Sequence, residues 1–367
     1  MELKQKINSL AKKTKTISIS TAAILGDDVI FSHAYGNYNQ EKNLKATTDT
    51  IYRIASASKP ISCIVLMTLV DKKLVELDAN IGNYLGYEVR NPHYKNEPIT
   101  LRHLMTHTSS IVETGSYNKI LAGQMPPYKL SEVLVGSGYS NDNFLNAKPG
   151  SKYCYSSFGT GILGAIIEKV TGKKFADYAR DCLFLPLGMN ASFNPDYFAK
   201  DGQIAVPIEV GTSIDEKMKE WLAKSLANKK KLSDLPIGEA YRIAQGNVYI
   251  KANDLAKLMR IFFNDGKVGK VRILSPESAS EMTKIQFSDE NISTGLGLFH
   301  LDHIAPGIIG HYGRAYGAFT LMAFNPNIKK GAVVLTNGTD PKVDEHGHTI
   351  TCTDAFIEIY KSIEQLI

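Results

Sequence analysis

An α+β fold is what this sequence predicts, with one antiparallel sheet assembled from both chain ends and a mainly helical segment inserted between them. Two observations lead there. Apolar runs of strand length lie near the start (Ile17 to Leu25, Val29 to Tyr35) and near the end (Gly295 to Leu301, Phe319 to Phe324, Ala332 to Thr336). Between them, apolar residues recur at helical spacing.

In chain order, residues 1–15 read as a basic amphipathic start. Gly26-Asp27-Asp28 separates the first two strands as a hairpin turn. A helix is expected over 60–75, because Ile61, Ile64, Val65 and Leu69 share one face. Another segment runs over 98–110 with Thr100 as N-cap. Further helices are expected over 158–180, 215–228, 253–264 and 350–366. Residues 1–60 and 290–367 would then form a sheet domain, and 61–289 a mainly helical one. The cleft between them is the default site. The sequence shows no internal repeat and no low-complexity segment.

The 367 residues are 43% hydrophobic and 22% charged, an ordinary globular composition. Net charge is +5, and the short lysine runs (Lys12-Lys13, Lys229-Lys230-Lys231) read as solvated faces rather than nucleic-acid patches. No nucleic-acid-binding motif accompanies them. Cys63, Cys154, Cys182 and Cys352 form no C-x-x-C pair, which argues against a metal knuckle or redox motif. No apolar run reaches membrane-spanning length, and the N-terminus lacks the apolar region of a signal peptide. The expected compartment is the cytoplasm if residues 1–367 are the whole chain, and the periplasm or cell exterior if a leader has been removed.

The most informative feature is Ser56-Ala57-Ser58-Lys59, inside Tyr52-Arg53-Ile54-Ala55-Ser56-Ala57-Ser58-Lys59-Pro60. A serine hydroxyl needs a base within hydrogen-bond reach to act as a nucleophile. On a helix, residues i and i+3 lie about 5–6 Å apart on one face. Ser-x-x-Lys therefore sets Lys59 beside Ser56. Pro60 fits only a first helical turn, so Ser56 sits at a helix start, where backbone N–H groups favour developing negative charge. The bland alternative is a helix cap formed by Ser56 or Ser58.

Tyr155, in Pro149-Gly150-Ser151-Lys152-Tyr153-Cys154-Tyr155-Ser156-Ser157, is the best third group. It stands where a Pro-Gly turn leads into a helix and can aim its phenol into a cleft. His311-Tyr312-Gly313 precedes an expected strand, and Gly313 lets backbone approach a ligand closely. His103 and His107 have i, i+4 spacing but lack the glutamate of H-E-x-x-H, so they read as structural. Gly159-Thr160-Gly161-Ile162-Leu163-Gly164 matches G-x-G-x-x-G with no strand before it, and reads as helix packing. No G-x-S-x-G elbow exists.

Together these segments resemble the serine β-lactamase and penicillin-binding-protein superfamily, in its class C β-lactamase, D,D-peptidase and esterase branch. Tyr52 to Asp78 looks like the nucleophile helix. Ile99 to Ile111 looks like the histidine-containing segment, with Ser110 where a Gly is usual. Tyr155-Ser156-Ser157 looks like Tyr-x-Asn, and His311-Tyr312-Gly313 like the His-x-Gly form of the third motif. Glu168 to Asn190, Asn253 to Gly266 and Leu274 to Met282 are also similar, so the resemblance spans about residues 20–340.

The resemblance implies a β-lactamase/transpeptidase-like fold and acyl transfer through a covalent acyl-Ser56. Lys59 would take the serine proton, and Tyr155 would relay protons to the leaving group and the deacylating water. The backbone N–H groups of Ser56 and Arg314 would form the oxyanion hole. No metal or organic cofactor is implied. Ser157 stands for the expected Asn and cannot offer an amide's donor–acceptor pair. His311 stands for a carboxylate-recognising Lys and is mostly neutral at pH 7, while Arg314 could restore positive charge there. The leading expectation is a hydrolase of small esters, amides or D-amino-acid peptides. The alternatives are a true class C-like β-lactamase, a non-turnover penicillin-binding sensor and a binding protein with a dead site. The partner is a small-molecule or peptide substrate, and oligomeric state is left open.

Overall fold

The computed structural model describes residues 2–126, 128–198, 203–208 and 234–366. The helix expected over 215–228 lies outside the described residues. The sheet strands are β1 (Ser18–Leu25), β2 (Asp28–Asn39), β3 (Leu44–Lys45), β4 (Phe287–Ser288), β5 (Ser293–Thr294), β6 (Phe299–His300), β7 (Ile309–Ala315), β8 (Ala318–Asn325) and β9 (Lys330–Gly338). The helices that matter to the site and core are α1 (Glu2–Lys13), α2 (Lys59–Asp71), α3 (Ser157–Thr171) and α4 (Ile350–Ser362).

The nine strands form one antiparallel sheet in the order β3-β2-β1-β9-β8-β7-β6-β5-β4. The first and last parts of the chain meet where β1 pairs with β9, from Leu25 opposite Lys330 to Ser18 opposite Gly338. The expected α+β architecture, with its sheet built from both chain ends, is thus observed.

Both faces of the sheet are covered, which is why its central strands read as apolar runs rather than alternating ones. Side chains still alternate by strand geometry. Val333 and Leu335 join Met322 and Phe324 in the core shared with α2 and α3. Ala332 and Val334 join Leu321 and Ala323 in a second core on the other face. That second core is closed by Leu3, Ile7 and Ala11 of α1, spaced four apart, and by Phe356 and Ile359 of α4.

Several elements differ from their expected bounds. The segment over 98–110 is helical only at Leu101–Met105. Thr100 caps it as expected, accepting from the His103 N–H at 3.2 Å. The helix over 158–180 is broken at Gly172, which takes a left-handed φ of 68° as C-cap, and resumes at Phe175–Ala179. The helix over 253–264 is two pieces, Ala252–Leu258 and Arg260–Phe263. The strand over 295–301 shrinks to β6, because Gly297 adopts φ 73°. His311-Tyr312-Gly313 precedes the expected strand, β8, and itself lies within β7.

α2 is buried on every side from Lys59 to Leu69, so its apolar stripe understates its burial. Cys63 faces Gly297 there, where a Cβ on the glycine would fall 2.5 Å from its Sγ. All four cysteines are free. Among the described residues no helix is long and apolar enough to cross a membrane.

The glycines of the 159–164 run serve packing. A Cβ on Gly161 would sit 2.1 Å from the Tyr241 carbonyl oxygen, and one on Gly164 would sit 2.8 Å from the Ala244 Cβ. Helix propensity alone would make Gly161→Ala stabilising by about 1 kcal/mol. The clash reverses that sign, and we expect a loss of about 1–3 kcal/mol in urea denaturation. A stability equal to or above wild type would refute close packing as the reason for glycine.

Candidate active site

The serine lies in a tight turn rather than in the helix proper. Ala55–Ser58 forms one 3₁₀ turn, and α2 begins at Lys59 with Pro60 in its first turn. Ala55 is held at φ 48°, a left-handed conformation that alanine disfavours. Such strain persists only where surrounding structure over-determines it. Ser58 is no side-chain cap. Its Oγ accepts from the Val248 N–H at 3.0 Å, tying the turn to the loop before residue 250.

Lys59 is 1% exposed. Its Nζ reaches the Gln245 carbonyl at 2.8 Å, Ser56 Oγ at 3.1 Å and Ser157 Oγ at 3.4 Å. It also lies 4.8 Å from the centre of the Tyr155 ring, over its face. Burial pulls the Lys59 pKa down from 10.5 to about 7, and the Glu113 carboxylate only partly opposes this. An uncharged amine has two N–H bonds and a lone pair. The Gln245 carbonyl can only accept, so it takes one N–H. Ser157 Oγ can take the other, and the lone pair is left for the Ser56 hydroxyl.

Tyr155 is pushed well above the usual phenol range by burial, with hydrogen bonding to Ser56 and then to Ser157 opposing. It stays protonated at neutral pH. Its ring stacks on His107 with centroids 4.5 Å apart. His107 is buried, and burial with the nearby Lys59 charge lowers its pKa to about 3. Its Nδ1 accepts from the Ser156 N–H at 3.2 Å. His107 is therefore a positioning residue for the Tyr155–Ser157 segment.

Ser157 opens α3, whose N-cap Ser156 accepts from the Gly159 N–H at 3.0 Å. The Ser157 N–H donates to Glu113 Oε1.

Gly313 shows why β7 needs a glycine. A Cβ there would lie 2.2 Å from the Ile54 carbonyl oxygen and 3.0 Å from the Ser56 nitrogen. Strand and turn are in backbone contact, which sets the residue-314 end of β7 beside the Ser56 N–H.

His311 is buried, and desolvation above all, then the Lys59 charge, hold its pKa well below 6.5. Its Nδ1–H donates to the Tyr312 carbonyl at 2.6 Å, and its ring packs on Phe299 at 4.7 Å. Its ring lies beside that of Tyr155, with centroids 6.3 Å apart. Arg314 lines the cleft that holds Ser56, with its guanidinium 5.6 Å from the Phe319 ring centre.

The cleft encloses about 360 Å³. Ser56 and Ser157 open into it, together with Glu113, Arg53, Arg242 and Gln245. Gln245 is the connector. With the amide turned so that both its ends are satisfied, its oxygen accepts from Arg242 Nε at 3.1 Å and its nitrogen donates to the Ser157 carbonyl at 2.8 Å. Among the described residues no group of three or more His, Cys, Asp or Glu is arranged to hold a metal ion.

A family model described as Beta-lactamase matches residues 3–351. The chain belongs to the β-lactamase family. It is 27% identical to Penicillin-binding protein 4 of Amycolatopsis lactamdurans over 86% of this chain and 80% of that one. A shorter match, 26% identical, links 45% of the chain to 35% of Penicillin-binding protein 4* of Bacillus subtilis. The chain thus spans about a third of that relative's length. The fold is similar to that of an octameric penicillin-binding protein homologue from Pyrococcus abyssi. There the TM-score is 0.76 at 24% identity, over 99% of this chain and 77% of the other. It is also similar to the D-amino acid amidase of Ochrobactrum anthropi SV3. In that pair the TM-score is 0.72 at 20% identity, over 100% and 99% of the two chains.

Ser110, at the position where the resemblance implies glycine, adopts a left-handed φ of 65°. Asn91 Nδ2 donates to its Oγ at 2.8 Å and fixes it there. Sequence reasoning missed Glu113, Arg53, Arg242 and Gln245. Arg53 lay inside the quoted Ser56 segment and carried a signal, as a charge within an apolar run. Arg242 and Gln245 lie in an irregular loop with no periodicity or motif to mark them.

The contact at Gly313 yields a test. Gly313→Ala must push β7 off the Ser56 turn. We expect ester hydrolysis to fall by about 10²-fold or more, the scale of losing an oxyanion donor, with the far-UV circular dichroism of the folded protein kept. Wild-type kcat/KM in the variant would show that the contact has no bearing on catalysis.

Proposed function

We propose that this β-lactamase-family chain is a serine hydrolase of small esters, amides or D-amino-acid peptides, working through an acyl-Ser56 intermediate. The observation that carries this reading is the buried Lys59 amine 3.1 Å from Ser56 Oγ. With a pKa brought down to about 7, an appreciable fraction is uncharged at neutral pH and able to accept a proton. Family membership and the fold shared with an amidase support the reaction class.

In this scheme Ser56 Oγ bonds to the substrate carbonyl carbon and its proton passes to Lys59 Nζ. The carbonyl oxygen takes the negative charge, facing the N–H groups of Ser56 and Arg314. The C–O or C–N bond to the leaving group then breaks. That group takes a proton by way of Tyr155, which is re-protonated from Lys59. Water repeats the sequence on the acyl ester and frees Ser56. Tyr155 acts as a protonated relay, because burial keeps its phenol neutral. Simple esters are the favoured substrates over β-lactams. The site has Ser157 in place of an amide, and burial keeps its His311 neutral.

Labelling tests the covalent step. A fluorophosphonate probe should add one mass label at Ser56, and Ser56→Ala should lose it. A label that persists in Ser56→Ala would sink the mechanism. In the same preparation, p-nitrophenyl acetate should show a higher kcat/KM than a chromogenic cephalosporin. The reverse order would make this a β-lactamase, and a single burst without turnover would make it a sensor.

The pH dependence follows from Lys59. The amine accepts a proton only when uncharged, which is above its pKa. Ester kcat/KM should therefore rise from acid through a midpoint of about 7 and then level off. Lys59→Ala should lower kcat and kcat/KM together, by about 10²–10⁴-fold. A wild-type profile flat down to about pH 5 would remove Lys59 as the base.

A further inference from the structure

Among the described residues, Arg53 and Arg242, which line the cleft, form no ion pair with an acidic side chain. Arg242 is 5% exposed, and its Nη1 is buried without a hydrogen-bond partner. Its other contacts hold it still. Nε donates to the Gln245 amide oxygen at 3.1 Å, and the guanidinium lies 5.9 Å from the Tyr117 ring centre. Arg53 lies close enough for the Arg242 charge to disfavour its own. Its Nε reaches Asn247 Oδ1 at 3.4 Å, and its guanidinium sits 5.5 Å from the Tyr316 ring centre. Burial is the main influence on Arg53, and among the described residues no carboxylate figures beside it.

Elsewhere in this chain a half-buried arginine is treated differently. Arg102 forms ion pairs with Asp78 and Glu281, both at 2.7 Å. Desolvated guanidinium groups require such compensation. Glu113, the acidic residue lining the cleft, has its recorded hydrogen bond to the Ser157 N–H rather than to either arginine. Arg53, Arg242 and the more exposed Arg314 against the one carboxylate of Glu113 leave net positive charge beside Ser56, which favours an anion. A guanidinium fork with an open N–H suits a carboxylate.

We propose that Arg53 and Arg242 form an anion-binding arm of the cleft that takes a substrate carboxylate. The hydrolase then acts on acidic esters or amides in preference to neutral ones. This rests on the acyl-Ser56 reading above. Arg314 is more exposed, on the rim, and contributes less because solvent screens it. Gln245 links the arm to the chemistry: its side chain holds Arg242, and its backbone carbonyl holds Lys59. A bound carboxylate would therefore steady the group that positions the base.

Two matched ester pairs test the arm with the full chain. In one pair the acyl half is varied, p-nitrophenyl butyrate against the p-nitrophenyl monoester of glutaric acid. In the other the leaving group is varied, phenyl acetate against 3-carboxyphenyl acetate. Wild type should prefer the acidic member of at least one pair by about ten- to a hundredfold in kcat/KM, the scale of a charged hydrogen bond. The pair that shows it identifies which half carries the anion. Arg242→Gln should bring that ratio close to one, and Arg242→Lys should recover part of it, since charge returns without the fork. The ratio is read within each variant, so a partly unfolded preparation does not bias it. Wild type that hydrolyses the neutral esters without preferring an acidic partner overturns the arm and leaves the acyl-Ser56 reading intact. A ratio that stays high in Arg242→Gln, Arg53→Gln and the double variant also overturns it. Inactivity toward all four esters with no label at Ser56 overturns the underlying reading, and the arm with it.

Discussion

A buried ammonium with acceptors from three separate parts of the chain governs the architecture of this site. Lys59 is held by the serine of its own turn, by the first residue of α3 and by the carbonyl of Gln245. Removing a cation from water is unfavourable by several kcal/mol even after relaxation. The protein relieves this by two routes. It surrounds Nζ with oxygens, and it lowers the pKa to about 7 so that the charge is shed easily. α2 contributes the lysine because it is buried on all sides. An amphipathic helix on the surface would have left the amine hydrated and permanently charged.

The electrostatics of the cleft follow from that placement. Lys59 disfavours the charged forms of His107 and His311, which burial has already made neutral. Both imidazoles therefore serve as neutral packing and hydrogen-bonding groups. Glu113 is the countercharge that keeps Lys59 from losing its proton more readily still. Anchored on the Ser157 N–H at the start of α3, it also sits where a helix N-terminus favours an anion.

Backbone strain marks the same neighbourhood. Ala55, His107 and Ser110 all take left-handed φ, at 48°, 59° and 65°. Each stands at or beside a segment that shapes the site: the Ser56 turn, the support of Tyr155, and the loop leading to Glu113. The sheet supplies the rigidity that sustains this. Its two faces are sealed by separate cores, so β7 can press its Gly313 backbone onto the Ser56 turn without yielding. Close-packed interiors transmit such contacts rather than absorb them.

What the sequence determined by itself is what is local or periodic. The hairpin of β1 and β2, the amphipathic α1, the Thr100 cap and the Ser56–Lys59 spacing all arise from residues within a few positions of each other. The sheet's two-ended origin was legible too, because strand-length apolar runs lie at both ends. Tertiary structure decided the rest. It cut the helix over 158–180 at Gly172, where a left-handed cap outweighed a continuing apolar pattern. It buried His311 against Tyr155 and Phe299. It also brought Arg53, Arg242, Glu113 and Gln245 together from three distant stretches. No spacing rule links residues nearly two hundred positions apart. Their proximity is set only when α2, α3 and β7 pack, because burial and charge are properties of the assembled site.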